Sequence, residues 1–457
     1  MNKLISQNPA NYELIREVNS STREEITLKV KSANHAKAEW KNLGLEKRIR
    51  LLRNVAANLK KEKDKLAHLA TKEMGMPISQ SYADIQDAID FFSWYLDNAP
   101  KFISPEIVFE DDKTIHKVFY EPTGVAAVIT PWNFPTSNFV WGAGQNLVVG
   151  NTVVYKTSEQ CPLFGKMLEE IINSSGLPKG VFSEVYGDGE AGDFLVHQDI
   201  NLICFTGSTK VGKHLYKVAA EKFIKAVCEL GGSAPGIVFK DANLDVAIEA
   251  IYSNRFTNCG QMCDALKRLI VHESIFGEVV ERLKKKLETV KIGDPENKAT
   301  DIGPLVSKEQ LKLLEEQVKD ALAKGAKVVI GAKRPDNLQG AFYEPTILTN
   351  ITRDMRVWQE EVFGPVLPIV TFNTNDEAVK MANDTKYGLG SYLYTQDKKK
   401  ALETSSQIEA GMVSINSASY IQPCSPFGGY KDSGIGREHG KFGFADLVQV
   451  KVVAFEK

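Results

Sequence analysis

From Pro122 onward the chain alternates short apolar runs with amphipathic stretches at helical spacing, a rhythm that confines it to parallel α/β architectures. Residues 124–130 form a compact apolar run that reads as a buried strand, and residues 151–156 read as another. A helical pattern over 164–174 stops at Gly176-Leu177-Pro178, a glycine at the helix end followed by a proline. Strands are expected at 181–186 and 201–205 and a helix at 211–221. After Gly231-Gly232 the alternation restarts: a helix at 243–254, a strand at 267–272, helices at 276–290 and 308–324, then strands at 327–330 and 366–371. Two α/β units in series follow from this pattern, and a length of 457 residues suits two or three domains.

The first hundred or so residues are mostly helical in pattern, with Leu51, Leu52, Val55 and Leu59 on one face. Residues 103–120 alternate like extended chain, as does 448–455. These read either as sheet edges available for subunit pairing or as surface hairpins.

Composition excludes several functions. Lys and Arg number 56 against 58 Asp and Glu, a formal net charge of −2, and the basic residues are scattered, which argues against a nucleic-acid partner. The run Lys284-Lys285-Lys286 lies in an amphipathic helix and reads as a solvated face. No stretch reaches the roughly 18 unbroken apolar residues of a membrane span, and residues 1–13 lack the apolar core of a secretory signal. Cys161, Cys204, Cys228, Cys259, Cys263 and Cys424 form no disulfide framework and no C-x-x-C pair, which fits a reducing cytoplasm.

Three segments carry chemistry. Gly187-Asp188-Gly189-Glu190-Ala191-Gly192 spells G-x-G-x-x-G after a strand, but the acidic residue expected about 20 positions later is missing. It reads first as a tight loop and second as a pyrophosphate cradle. Phe205-Thr206-Gly207-Ser208-Thr209 runs from a strand into a helix, and Ser208 suits an N-cap, so the helix start could hold an anion or be capped without one. Cys263, in Asn258-Cys259-Gly260-Gln261-Met262-Cys263-Asp264, is either a reactive thiol or a small buried hydrophobe. None of the seven histidines completes a protease motif, and no spacing suggests zinc.

The chain resembles the NAD(P)-dependent aldehyde dehydrogenase family over essentially its whole length. The matching segments occur in family order. They are Thr130-Pro131-Trp132-Asn133-Phe134-Pro135, Gly150 to Glu159, Phe205 to Gly212, Glu229-Leu230-Gly231-Gly232, Phe256 to Cys263, Glu360 to Pro365, and Pro426 to Gly434 leading to Gly436-Arg437-Glu438. The resemblance implies an α/β aldehyde dehydrogenase-like fold: two Rossmann-like parallel-sheet domains and a small β oligomerisation element. On this sequence that places a cofactor-binding domain at 1–102 and 121–230, bridging and oligomerisation strands at 103–120 and 440–457, and a catalytic domain at 231–439. A homodimer or homotetramer is expected on the same ground.

Site roles come with the resemblance too. Cys263 would be the nucleophile, Asn133 an oxyanion donor and Glu229 the general base that activates water on the thioester; that glutamate favours hydrolysis over transfer to coenzyme A. Thr130, Pro131, Trp132, Ser158 and Gly231 would line the cofactor pocket, Lys156 and Glu159 would hold the adenosine ribose, and Gly207 and Ser208 would meet the pyrophosphate. Glu361 would accept from the nicotinamide ribose, with Phe363 beside the ring. A carboxylate at 159 repels a 2′-phosphate, so NAD is expected over NADP, with NADP kept as the alternative because family members vary here and Thr157 departs from the usual proline.

Length and the opening Ile5-Ser6-Gln7-Asn8-Pro9-Ala10 resemble the short bacterial succinate-semialdehyde dehydrogenase branch. That branch often anchors a distal carboxylate with arginines at the positions held here by Trp141 and Thr257. Neither can make a bidentate pair, and Asp264 would repel an anion. With Met262 and Gln422 completing the expected substrate pocket, an uncharged or amino aldehyde is favoured. A succinate-semialdehyde dehydrogenase with a non-standard anchor is the alternative.

Overall fold

The apolar runs that open the alternation are strands closed to water on both faces. In the computed structural model, which describes residues 2–457, every residue of Val125–Ile129 and Thr152–Lys156 is buried. Such strands belong in the middle of a parallel sheet covered by helices. They join Phe182–Val185 on one side and Leu202–Thr206 and Lys225–Glu229 on the other, all parallel. Gly434–Ile435 closes the edge antiparallel to Lys225–Glu229, a sixth strand. Gly434 has φ +146°, and a Cβ there would stand 2.1 Å from the Cys228 carbonyl oxygen, so only glycine lets this late segment lie on the sheet. The chain thus returns to the first sheet at a point the sequence reading grouped with the second unit.

Helices Arg23–Asn42, Leu45–Lys61, Lys63–Met74 and Ile78–Ile103 cover this sheet. Leu52, Val55 and Leu59 are fully buried, with Leu51 at the margin of the same face. Each such side chain contributes roughly 1.5–3 kcal/mol by leaving water.

The second sheet has seven strands in the order Lys327–Ile330, Thr346–Thr349, Val366–Phe372, Leu266–His272, Ala234–Val238, Gly390–Tyr394 and Met412–Ile415, parallel except for the first. Thr346–Thr349, Ala234–Val238, Gly390–Tyr394 and Met412–Ile415 were not expected from the sequence. All are short, and Ala234–Val238 and Gly390–Tyr394 carry Pro235, Gly236, Gly390 and Ser391, residues that dilute a strand signal. Residues 230–233 carry the chain from one sheet to the other.

Glu106–Glu110, Thr114–Pro122 and Val448–Glu456 make a separate antiparallel sheet. Two expectations need correction here. Extended chain does not begin at 103, because helix Ile78–Ile103 runs on through Pro100, which removes a ladder bond only near its end. The C-terminal segment is not all strand: Gly440–Asp446 is a helix packed against Ile78–Ile103, and pairing starts at Val448. Among the described residues no helix is long and apolar enough to cross a membrane.

Candidate active site

Parallel sheets offer ligands the loops at the carboxyl ends of their strands. In the first sheet those loops hold Thr130 to Asn133, Thr157 to Glu159, Gly207-Ser208 and Glu229. The second sheet presents the residues just before its strands: Gly231-Gly232 before Ala234, Cys263 before Leu266, and Glu361 and Phe363 before Val366. The two rims touch. Asn133 Nδ2 donates to the Gln261 carbonyl at 2.9 Å, Asn258 Nδ2 donates to the Asn133 carbonyl at 2.7 Å, and the Trp132 and Phe363 rings meet edge-on at 5.8 Å.

Cys263 is aimed by a tight turn. Helix Leu244–Phe256 ends, and Asn258, Cys259 and Gly260 follow with φ of 50°, 55° and 72°. Left-handed backbone at a residue with a Cβ costs roughly 1–2 kcal/mol, so the surroundings must enforce it. They do so through Gln261, whose Oε1 accepts from the Val306 N–H at 2.9 Å and whose Nε2 donates to the Asn258 carbonyl at 3.1 Å. The thiol emerges half-buried against Leu389, Met412 and Phe427, a patch shared with Trp141, Tyr420 and Ile421. Burial pushes its pKa up, the neighbouring Asp264 adds to that, Lys267 opposes it, and Glu361 and Glu229 contribute further. The resting group is a thiol.

Asn133 sits just before the short helix Pro135–Phe139. The buried Asp84 carboxylate accepts from the Thr136 and Ser137 N–H groups at 3.1 and 3.2 Å and anchors that helix. Asn138 Nδ2 donates to Asn133 Oδ1 at 3.3 Å, which sets the direction of the Asn133 amide. Its NH2 spends one proton on Gln261 and keeps a second.

Glu229 is 2% exposed, and neither carboxylate oxygen has a hydrogen-bond partner. Burial holds its pKa well above the carboxylate range; Glu438 and Asp446 add to the effect and Arg437 opposes it. Glu438 is pushed up as well by its own burial. Arg437 does not reach over to neutralise them by contact: its Nη1 donates to the Gly429 and Gly436 carbonyls at 3.1 and 2.6 Å.

At the far end of the first rim, Lys156 is 3% exposed. Its ammonium donates to the Thr157 carbonyl at 3.1 Å and lies 3.6 Å from Glu159. Burial pulls its pKa down, and Glu159 works against that. Ser158 Oγ accepts from the Gln160 N–H at 3.2 Å, and Thr130 Oγ1 is 2.5 Å from Tyr155 Oη. Ser208 is the exposed N-cap of helix Thr209–Glu221, its Oγ accepting from the Val211 N–H at 3.4 Å, and the Gly207 N–H donates to the Glu229 carbonyl at 2.9 Å. The G-x-G-x-x-G loop is a helix entry capped by Asp188, and Gly192 packs against the Lys156 stem.

The substrate-side residues divide. Trp141 lies in a π-helical turn, Val140–Gly144, with its ring 4.6 Å from His439 and 5.4 Å from Phe427, and its indole N–H buried without a partner. Met262 and Thr257 are half-buried, Thr257 closing helix Leu244–Phe256. Asp264 turns to Tyr420, which donates to its Oδ2 at 3.0 Å, while Tyr392 donates to its carbonyl at 2.9 Å. Gln422 is exposed on the loop that follows Met412–Ile415.

Sequence reasoning missed Lys267, Glu438, His439 and Tyr420. Lys267 left a signal, a lysine opening a run apolar enough to be a buried strand. His439 left none: it is fully buried, its pKa pulled down to about 3 by burial, with Nδ1 2.5 Å from Tyr95 Oη. Among the described residues no group of three or more His, Cys, Asp or Glu side chains could hold a metal ion.

Two parallel-rich sheets bring a thiol, an unpartnered carboxylate and a fixed amide to their junction. The chain belongs to the aldehyde dehydrogenase family, whose model matches residues 2–453. It is 39% identical over 468 residues to the Pisum sativum protein named aminoaldehyde dehydrogenase 1, peroxisomal, covering 99% of this chain and 92% of that one. It is 37% identical over 447 residues to glutarate-semialdehyde dehydrogenase of Pseudomonas aeruginosa, covering 97% and 92%. The crystal structure of betaine aldehyde dehydrogenase from Staphylococcus aureus in complex with NAD+ matches with a TM-score of 0.95 at 34% identity, covering 99% of this chain and 91% of that one. The fold is the aldehyde dehydrogenase fold.

Proposed function

We propose that the protein oxidises an aldehyde to its carboxylic acid with NAD, through a thiohemiacetal and then a thioester on Cys263. The observation that carries this reading is a half-buried thiol within electrostatic reach of a buried carboxylate, Glu229, whose oxygens are both unpartnered. The Cys263 thiol gives its proton by way of Glu229 to solvent water, its sulfur bonds to the aldehyde carbon, and the C=O π pair moves onto the carbonyl oxygen, which takes the negative charge. The second Nδ2 proton of Asn133, with the Cys263 backbone N–H, stabilises that oxygen; losing one such donor typically costs about 3–4 kcal/mol in the transition state. NAD, when bound, accepts the hydride that leaves the thiohemiacetal carbon. Glu229 then takes a proton from water as the water oxygen attacks the thioester, releasing the acid and the thiolate.

The residues fit that cofactor. The Lys156 ammonium has three protons and one hydrogen bond, leaving donors for ribose hydroxyls beside a Glu159 carboxylate that can accept from them. A Cβ on Gly231 would come 2.3 Å from Glu361 Oε2, so glycine leaves that carboxylate room at the cofactor rim. The start of helix Thr209–Glu221 at Ser208 would meet a pyrophosphate through N–H groups other than those of Gly207 and Val211, which are bonded within the chain, with Ser158 and Thr130-Pro131-Trp132 lining the same rim and Phe363 facing Trp132.

For the aldehyde we favour an uncharged or amino compound. Trp141 is ringed by aromatics and Asp264 brings negative charge beside the thiol. Lys267, the nearby cation, is fully engaged with protein acceptors. The exposed Ile107, Phe109, Val450, Val452 and Phe455 on the third sheet support pairing with further copies as a homodimer or homotetramer. Six free cysteines suit a reducing compartment such as the cytoplasm.

The test is the rise of reduced-nicotinamide absorbance with acetaldehyde, longer aliphatic aldehydes, benzaldehyde, an aminoaldehyde and succinic semialdehyde, each with NAD and NADP. Neutral or amino substrates with NAD should turn over fastest, and Cys263→Ala should abolish turnover while keeping NAD binding. Steady activity in that variant would remove Cys263 from the mechanism. A win for succinic semialdehyde would replace the substrate assignment with the anionic one.

A further inference from the structure

Lys267 is the second residue of strand Leu266–His272, and its side chain is 0% exposed. Its ammonium donates to the Cys263 carbonyl at 2.7 Å, to the Gly232 carbonyl at 2.9 Å and to Glu361 Oε1 at 2.5 Å. An ammonium has three protons, and each is used. Glu361 Oε1 also accepts from the Gly232 N–H at 3.0 Å, so the carboxylate is gripped from two sides. The Lys267 Nζ lies 5.3 Å from the centre of the Phe363 ring, over its face. The three acceptors come from three different segments: the turn that carries the thiol, the link between the two sheets, and the loop before Val366.

We propose that Lys267 is a positioning residue for the reaction described above, one buried ammonium that locks Glu361, the Gly231-Gly232 turn and the Cys263 backbone into a single unit and so couples the cofactor side of the site to the thiol. The inference rests on the assignment of Cys263 and Glu361 under the proposed function. Charge gives the unit a second consequence. Asp264 on the thiol's own loop, Glu361 on the neighbouring loop of the same sheet and Glu229 on the first sheet all disfavour a thiolate, and Lys267 supplies the positive charge set against them. Removing the ammonium frees Glu361 to move and strips the thiol of that opposing charge. Removing the Glu361 charge acts on the thiol in the opposite sense.

The experiment measures iodoacetamide alkylation of Cys263 against pH in the full-length, cofactor-free protein, located by peptide mass, with NAD affinity read from tryptophan fluorescence. Lys267→Met should raise the alkylation midpoint by about one pH unit, about a tenfold loss of thiolate below it, and weaken NAD binding about tenfold. Glu361→Gln should lower the midpoint, and the double variant should fall between the two single variants. Unmoved midpoints in both single variants, or shifts of the same sign, would overturn the proposal. Should Lys267→Met not fold, Glu361→Gln decides alone: a lowered midpoint supports the coupling and an unchanged one rejects it. If the alkylated wild-type protein still turns over aldehyde, the assignment of Cys263 itself fails, an outcome separate from any result in the variants.

Discussion

Two buried charged corners flank Cys263, and they are built on opposite rules. In the Lys267–Glu361 corner, opposite charges meet, every ammonium proton is bonded, and the carboxylate is held from two sides. In the Glu229–Glu438 corner, like charges meet, and Glu229 has no hydrogen bond at all. A satisfied buried pair fixes geometry at the expense of reactivity, because its charges are spent on each other. An unsatisfied buried carboxylate gains affinity for a proton. In the proposed mechanism one corner holds the reacting parts still, and the other moves a proton.

The sharpest way to break this contrast is to give Glu229 a neutral isostere. Glu229→Gln should slow steady-state turnover by roughly 10²-fold or more, within the usual contribution of a general base, while the first step, acylation of Cys263, persists and an acyl-enzyme accumulates. Mass spectrometry of the quenched enzyme reads this directly. Because burial raises the Glu229 pKa, its basic form grows as pH rises, so wild-type hydrolysis should climb from neutral toward alkaline pH and the variant should lose that limb. A variant that turned over normally would make the empty surroundings of Glu229 a packing feature.

Stability tests the same corner with a smaller effect. Glu438 keeps its proton in the folded chain to higher pH than in the unfolded chain. A carboxyl with a raised folded pKa stabilises the fold below its unfolded value near 4.3, and that contribution is lost as pH rises through the folded value. The loss is about 1.4 kcal/mol per pH unit across that window for one such group. Glu438→Gln should therefore flatten the decline of the unfolding free energy between mildly acid and neutral pH. Denaturant melts at several pH values check this, and an equally steep decline would mean the charge is relieved by movement of the chain.

The two corners were not equally legible in the sequence. Glu229 and Cys263 lie in ordered segments whose resemblance to a family was plain, and the strands beneath them, Val125–Ile129, Thr152–Lys156 and Leu202–Thr206, announced themselves as apolar runs. Glu438 was quoted as part of a motif, but its nearness to Glu229 depends on Gly434–Ile435 returning to the first sheet, a two-residue pairing with no periodicity to detect. Lys267 needed a different kind of fact. Local sequence shows a lysine in a buried strand, and only the fold shows that Gly232 and Glu361, 35 and 94 positions away, supply its acceptors. The strand Ala234–Val238 and the π-turn around Trp141 were hidden for the same reason, since packing overrides weak local preference.

Lys156 and Glu159 offer an intermediate case, an opposite pair with one partner buried and the other 45% exposed. At 3.6 Å and open to solvent on one side, the contact is worth at most about 1 kcal/mol to the fold. In the proposed function its value lies in discrimination between cofactors. A carboxylate at 159 accepts from a ribose hydroxyl, whereas a phosphate in its place would face like charge at about 4 Å, a penalty of about 1 kcal/mol in a water-like medium. Glu159→Ser should therefore leave the melting temperature nearly unchanged and improve kcat/KM for NADP about fivefold relative to NAD. Steady-state kinetics with both cofactors measures it. An unchanged ratio would show that the buried Lys156 ammonium, rather than the half-exposed carboxylate, governs the choice, and would move this pair into the same category as the Lys267 corner, where charge serves to hold rather than to select.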